Sequence, residues 1–412
     1  MKILHTVESY LPVRHGMQEV VTQISSYLKS KGHEVTILTS YNENRKEYYD
    51  NSIPIIEFDI KGNFVRGYSG EINNYIDFLK NSDYDIIVNF AAQQWATDLM
   101  LPILTQIKGK KIFVPTGFSE FSSPYYHEYY SNMKSWMLNY DCNVFLSNNY
   151  QDINFARDND ILKNVIIPNG ADKREFENIA FNDIRKFLNI DSSWKLILSV
   201  GSHTGYKGHD SLLKIFRSLK TKKIALLIIG NNTSNDSTVF RLLKNFINLF
   251  GFKRSLCYYS CKFEEFKINF IFRKKKVFVK KLSRDFTINA YNQSDLFLFP
   301  SMIECSPIVL FEAMASKTPF AVTNVGNSTE IVAWSNGGIL LPTTFDKKKY
   351  SRVSVGQAAN LVDNLINDTK KLSELSINGY NSFIKSFTWE KIGEMYEDLY
   401  NSLINNNTKF VK

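Results

Sequence analysis

The chain has 412 residues, more than one hydrophobic core usually holds, so length alone predicts two domains. Apolar residues make up 44% and charged residues 22%, the balance of a globular protein, and no apolar run reaches the ~18 residues that a membrane-spanning helix needs. The net charge of +9 points to anionic partners: phosphates, acidic lipid surfaces or nucleic acid. Four cysteines, Cys142, Cys257, Cys261 and Cys305, show no disulfide framework. Cys257 and Cys261 lie four apart, but no further Cys or His nearby completes a metal set, so free thiols in a reducing compartment are expected. The opening MKILHTVESYLPV has too short an apolar core for a signal peptide, and the chain reads as cytoplasmic.

In chain order, MKILHTVES is a short apolar strand, and PVRHGMQEVV is the turn after it, where Gly16 starts a helix. Val20, Val21, Ile24, Tyr27 and Leu28 keep helical spacing up to Gly32. A glycine at position 16 lets backbone approach a phosphate or sugar, with Arg14 and His15 as donors beside it. EVTILTS, YDIIVNF, KIFVPTG, NVFLSN and NVIIPNG recur as strands with helical segments between several of them, the pattern of a helix-covered parallel sheet. A polar stretch from Asp172 to about Ser193 reads as the interdomain connection. The pattern then restarts with WKLILSVG, the loop SHTGYKG, the helix HDSLLKIFRSLK, and the strands KIALLIIG, DLFLFPS, PFAVTNVG and GGILLP. Residues 231–276 read as an inserted mixture of helix and loop, and FTWEKIGEMYEDLYNSLINN as a long amphipathic helix. Ligands of such sheets bind outside the carboxyl ends of the strands, so a cleft between two sheets is the expected site.

Two loops carry the chemistry. In PSMIECSPIVLFEAMAS, Ser306 is a suitable N-cap and Pro307 a suitable first helical residue. The helix start then offers unpaired N–H groups to a phosphate. Glu304 stands just outside that helix and Glu312 inside it, where a carboxylate can accept both hydroxyls of a ribose. In SVGSHTGYKGHD, Lys207 opens a helix and can reach phosphates, with His203 in the loop beside it.

RHGMQEVV with KGHEVTILT, VIIPNGAD, SVGSHTGYKGHDSLL, LLIIG and AYNQSDLFLFPSMIECSPIVLFEAMASKTPFAVTNVGNSTEIV, taken as an ordered series, resemble a glycosyltransferase of family 4. The resemblance implies an α/β chain of the GT-B fold, two Rossmann-like parallel-sheet domains facing across a cleft. Residues 1–175 would form the acceptor-binding domain, 190–385 the nucleotide-sugar domain, and 386–412 a helix packing back toward the first domain. The implied activity is retaining transfer of a sugar from a UDP- or GDP-sugar to an acceptor hydroxyl, in bacterial surface polysaccharide or glycolipid synthesis. Glu304, Lys207 and His203 would be catalytic. Gly16, Ser202, Lys207, Cys305, Ser306, Pro307, Ile308, Val309 and Glu312 would bind the donor. Arg14, His15, Thr116 and Gly117 would face the acceptor.

Several positions depart from the family pattern. Ser202 replaces an arginine after the strand-end glycine; either His203 takes over part of that phosphate contact, or binding is weaker and more pH-dependent. Thr116-Gly117 replaces a His-containing pair, and Lys317 a glycine. Two D-x-D runs, Asp83-Tyr84-Asp85 and Asp158-Asn159-Asp160, read as solvated turns, so neither a metal nor another cofactor is expected. The basic residues Arg273, Lys274, Lys275, Lys276, Lys280 and Lys281 are expected to rest on an anionic membrane, on the inner face of the cell membrane, beside a glycan or lipid-linked acceptor. Alternative readings are a nucleotide-sugar epimerase on the same fold, or a non-enzymatic protein binding anionic lipid or nucleic acid. A recognisable nucleic-acid module is missing from the sequence, and a nucleic-acid partner is not expected.

Overall fold

The structure, a computed structural model, describes residues 1–13, 15–231, 257–407 and 409. It divides into two compact units, Met1–Asn169 with Trp389–Lys412, and Gly170–Thr388.

In the first unit, β1 (Lys2–Thr6) and β2 (Glu34–Ser40) are followed by a short β3 (Tyr49–Asp50) and β4 (Ile53–Phe58). A small hairpin of β5 (Ile60–Asn63) and β6 (Gly67–Gly70) comes next, then β7 (Ile86–Phe90), β8 (Lys110–Val114), β9 (Cys142–Phe145) and β10 (Asn164–Ile166). The main sheet has the order β10-β9-β8-β7-β1-β2-β4-β3 and is parallel except for β3. Its central strands are buried on both faces, which is why they read as continuous apolar runs.

The second unit contains β11 (Lys195–Val200), β12 (Ile224–Ile229), β13 (Lys275–Lys280), β14 (Leu296–Phe299), β15 (Phe320–Thr323) and β16 (Gly338–Leu341). They form an all-parallel sheet in the order β13-β12-β11-β14-β15-β16. Alternate residues of one strand feed opposite cores: Leu196 and Leu198 join one cluster, Ile197 the other. Truncating such a residue to alanine costs about 2–5 kcal/mol.

The stretch after Asp172 is not a bare connection. Short helices Lys173–Glu177 and Ile184–Phe187 bring Phe176, Ile184 and Leu188 into the second unit's core. The segment read as mixed helix and loop holds the helix Cys257–Ile271 and the edge strand β13; the remainder, residues 232–256, lies outside the described residues. The lysines of KKVFVK hid a strand whose inward residues are only Val277 and Val279. The helix covers that edge with side chains. Asn269 donates from Nδ2 to Val277 O (2.9 Å) and accepts from Val277 N at Oδ1 (2.8 Å). Glu265 accepts from Val279 N at 3.2 Å, and Lys262 donates to Val279 O at 3.0 Å. An open strand edge is thereby protected from further pairing.

The helix Trp389–Ile404 returns to the first unit and packs on the helix Gly16–Ser30. Gly393 permits this contact, because a Cβ there would stand 2.3 Å from the Tyr27 ring. Buried His5 links the two ends of the chain, with Nε2 3.1 Å from the Tyr400 hydroxyl and Nδ1 2.7 Å from Ser25 Oγ.

Candidate active site

In the second sheet the strand order reverses between β11 and β14, the place where open α/β sheets bind ligands. The two chemistry-bearing loops of the sequence leave from these adjacent strands. Gly208 has φ +72°, and a Cβ on it would lie 1.8 Å from Pro300 O, so only glycine lets one loop settle on the other. Met302 N donates to Tyr206 O at 2.8 Å, closing the seam. Lys207 crosses Gly201, where a Cβ would sit 3.1 Å from Lys207 Cγ, and its Nζ donates to Glu304 Oε1 at 2.6 Å. Ser301 Oγ donates to the same oxygen at 2.6 Å. An ammonium has three donors, and this pair uses one.

The helix after Glu304 begins one residue later than expected, spanning Ile308–Ala315 with Pro307 as its N-cap. Ser306 does not cap it; its Oγ accepts from Asn327 Nδ2 at 3.1 Å. The helix has no side-chain cap, so its first N–H groups remain available at the tip. Gly326, with φ +54°, presses on this loop, since a Cβ would come 2.2 Å from Cys305 O, and Asn327 N donates to Cys305 O at 2.8 Å.

Glu312 is 7% exposed and is held by a residue that the sequence did not mark. Arg284 Nη1 donates to Glu312 Oε1 at 2.6 Å. The same guanidinium grips Glu175 in bidentate fashion, Nε to Oε1 at 2.7 Å and Nη2 to Oε2 at 2.6 Å, and lies over the Phe176 ring at 5.5 Å. Burial opposes the charge on Arg284, but Glu312 and Glu175 outweigh it and hold the pKa above the ordinary arginine value. No motif announces Arg284 or Glu175; they are 109 positions apart and meet only through the fold.

His203 does not face the site as expected. The loop turns at Ser202, whose carbonyl accepts from Thr204 N at 2.8 Å, and the imidazole is buried. It meets Tyr258 edge-on at 5.2 Å and the His209 ring at 4.5 Å. Its Nδ1 lies 3.6 Å from Cys257 Sγ. The view that Cys257 and Cys261 lack nearby histidines is corrected too, because His203 and His209 both reach them.

In the first unit the order reverses between β1 and β7. A cavity of about 380 Å³ opens at these strand ends, lined by Glu8, Arg66, Gln93, Ser119, Glu120 and Tyr126 among others. Burial raises the Glu8 pKa, with Arg66 opposing. Of the expected acceptor residues, His15 is instead the N-cap of the helix that Gly16 opens, its Nδ1 accepting from Gln18 N at 3.3 Å. Thr116 and Gly117 form a left-handed turn with φ +58° and +81°, and Gly117 N donates to buried Asp152 Oδ2 at 2.8 Å. They do not line the cavity. Arg14 lies outside the described residues. Asp83 is taken by Lys2 Nζ at 2.6 Å, and Asp85 accepts from Lys2 N at 2.7 Å.

Residues 195–352 match the family profile described as glycosyl transferases group 1, and residues 13–139 match glycosyl transferase 4-like. The chain belongs to the glycosyltransferases and has the GT-B fold.

This glycosyltransferase is 24% identical over 241 residues to an uncharacterised glycosyltransferase of Methanocaldococcus jannaschii, covering 57% of the chain and 53% of that relative. It is 29% identical over 105 residues to alpha-maltose-1-phosphate synthase of Mycolicibacterium smegmatis, 26% of either chain. The matches thus span about half or less of these curated relatives. Among solved structures, sucrose-phosphate synthase of Thermosynechococcus elongatus has TM-score 0.73 at 16% identity, covering 98% of this chain and all (100%) of that one. HepE of Anabaena, in complex with UDP and glucose, has TM-score 0.70 at 14% identity, again covering 98% and 100%.

The basic segment of the glycosyltransferase is only partly a surface patch. Lys275 Nζ donates to Arg217 O at 2.8 Å and to Leu219 O, capping the C-terminus of the helix His209–Ser218, so it is not offered to a membrane. Lys276 lies along the edge strand, and Lys280 sits 5.9 Å over the Phe187 ring. Arg273, Lys274 and Lys281 remain exposed. Sequence reading missed their neighbours. On the outer face of the helix Cys257–Ile271, Phe263, Phe266 and Phe270 are 65%, 69% and 82% exposed, in line with Tyr259. Their spacing of three and four residues is helical periodicity, and it marks an outward stripe.

Proposed function

We propose that this glycosyltransferase is a retaining enzyme that moves a sugar from a nucleoside diphosphate sugar to an acceptor hydroxyl. The observation that carries the reading is the meeting of Lys207, Glu304 and an uncapped helix tip at the switch point of the second sheet. Lys207 and the N–H groups of Ile308 and Val309 hold the diphosphate, and Glu304 orients the sugar. Glu312, already fixed by Arg284, takes the ribose hydroxyls.

In the transfer the bond between the sugar C1 and the diphosphate oxygen breaks. The acceptor oxygen bonds to C1 on the same face, and its proton passes to an oxygen of the leaving diphosphate. The protein stabilises the charge growing on that diphosphate through Lys207 and the helix tip, which act in place without reorganising. This arrangement needs no metal at the diphosphate, and no other cofactor takes part. HepE structures with UDP and with UDP-glucose favour a uridine donor. The first unit's cavity suits a polyhydroxylated acceptor, because Glu8, Gln93 and Glu120 accept or donate to sugar hydroxyls there. Phe263, Phe266, Phe270, Arg273 and Lys274 rest on an anionic membrane surface on its cytoplasmic side, where a lipid-linked or surface-polysaccharide acceptor is presented.

Thermal shifts with UDP-, GDP- and ADP-sugars test the donor class. One nucleotide should stabilise the wild-type chain, and Glu312→Gln should lose most of that shift while unfolding cooperatively. An unchanged ligand shift in Glu312→Gln would remove Glu312 from the donor site.

A further inference from the structure

His203, His209, Cys257 and Cys261 bring four ligand atoms within 4.8 Å of one another. They come from three places: the loop after β11, the first residue of the helix His209–Ser218, and two successive turns of the helix Cys257–Ile271. His203 is 3% exposed, His209 2% and Cys261 2%, so bulk water does not serve them. The two imidazoles approach one sulfur, with His209 Nδ1 3.4 Å and His203 Nδ1 3.6 Å from Cys257 Sγ. Among the described residues neither Nε2 has a hydrogen-bond partner. The Nδ1 atoms, not these, face the sulfur and are the nitrogens that can ligate, and apolar packing gives no reason for two imidazoles and two thiols to converge.

We propose that these four residues bind one zinc ion. Around a tetrahedral zinc, Zn–S bonds of about 2.3 Å and Zn–N bonds of about 2.0 Å set N···S separations of about 3.5 Å and S···S separations of about 3.8 Å. The two observed N···S distances already match, and no pair of ligand atoms, all within 4.8 Å of one another, needs to close by more than about 1.5 Å. A soft two-sulfur, two-nitrogen set selects zinc over oxygen-seeking magnesium or calcium. With four protein ligands no coordination position is left for a substrate, so the ion is structural. Its effect reaches the active site through covalent geometry. His203 and His209 flank Lys207 in sequence, and the ion would tie both ends of the Lys207 loop to the helix Cys257–Ile271. The metal site does not depend on the proposed transferase chemistry.

The test is metal analysis of the full chain, purified with a thiol reductant, loaded with zinc and dialysed. About one zinc per chain is expected, and Cys257→Ser and Cys261→Ser should each weaken binding more than about tenfold. Cys142→Ser, a buried cysteine outside the cluster, should retain the ion. Cobalt substitution gives a second readout on the unmutated chain, a tetrahedral thiolate spectrum that zinc displaces. A chelator should lower the melting temperature, and zinc should restore it. Less than about a tenth of an equivalent of zinc or cobalt on the wild-type chain would overturn the proposal, as would full retention in both cysteine variants.

Discussion

The Lys207–Glu304 pair allows structural and catalytic contributions to be separated by a double-mutant cycle. At 2.6 Å and an effective dielectric near 20, the gross attraction is about 6 kcal/mol. Desolvation removes most of it. The lysine side chain is 28% exposed and the glutamate 11%, so a net coupling of about 1–3 kcal/mol remains. Lys207→Met leaves Glu304, among the described residues, with only the Ser301 hydroxyl as a partner, at a cost of about 2 kcal/mol, or roughly 4–8 °C in the melting temperature of a unit this size. Adding Glu304→Gln removes the orphaned charge, and the double variant should recover about 1–3 kcal/mol relative to additivity in urea titrations. Sugar transfer should behave differently. If Lys207 neutralises the leaving diphosphate, its loss lowers kcat by about 10²–10³-fold, and Glu304→Gln restores none of it. Additive stabilities would show that the pair is not coupled. Rescue of kcat together with stability would show that Lys207 acts only by holding the loop.

Two further outcomes follow from groups elsewhere. Burial pushes the Asp98 pKa up to about 7, against hydrogen bonds from Phe64 N and Tyr129 that lower it. The folded state therefore binds this proton more tightly than the unfolded state does. Its contribution is complete below about pH 4 and is lost as pH rises through 7, a swing of order 3–4 kcal/mol. Asp98→Asn should thus gain stability relative to wild type between pH 4 and pH 8 in urea titrations, and a flat or falling difference would contradict the burial argument. At the membrane, Phe266→Ser with Phe270→Ser should reduce sedimentation with anionic liposomes by about tenfold or more, while Lys275→Gln should destabilise the fold without a comparable loss of binding. Binding indifferent to the two phenylalanines would exclude this face.

The two sheets, and the loops bearing Lys207 and Glu304, were legible because each signal is local. Apolar runs report strands buried on both faces, and Gly208 and Pro307 punctuate the loops beside them. The partners that hold the acids were not legible. Arg284 and Glu175 lie in different helices with no shared spacing, so nothing in one predicts the other. The same limit hid the Cys–His cluster, whose halves are 48 and 54 residues apart. Strand β13 was missed for another reason. Its lysines look like a solvated run, yet Lys275 spends its charge on helix carbonyls, and the strand's open edge is satisfied by Asn269 and Glu265 instead of by another strand.

These features meet on the helix Cys257–Ile271. A helix apolar all round is normally buried, but this one is apolar on two opposed faces, with Cys257, Cys261 and Ile268 inward and the phenylalanines outward. Between them, Lys262, Glu265 and Asn269 stitch it to β13. If the outer face enters a bilayer, the helix carries the load of holding the enzyme there, and the inner face must resist being drawn away. Side-chain hydrogen bonds to one strand edge are weak restraints for that purpose, each about 1 kcal/mol. A metal binding both turns of the helix and both ends of the Lys207 loop supplies a far stronger one. The two proposals therefore make a joint demand: zinc removal should loosen membrane binding and donor binding together, although neither lipid nor nucleotide touches the ion.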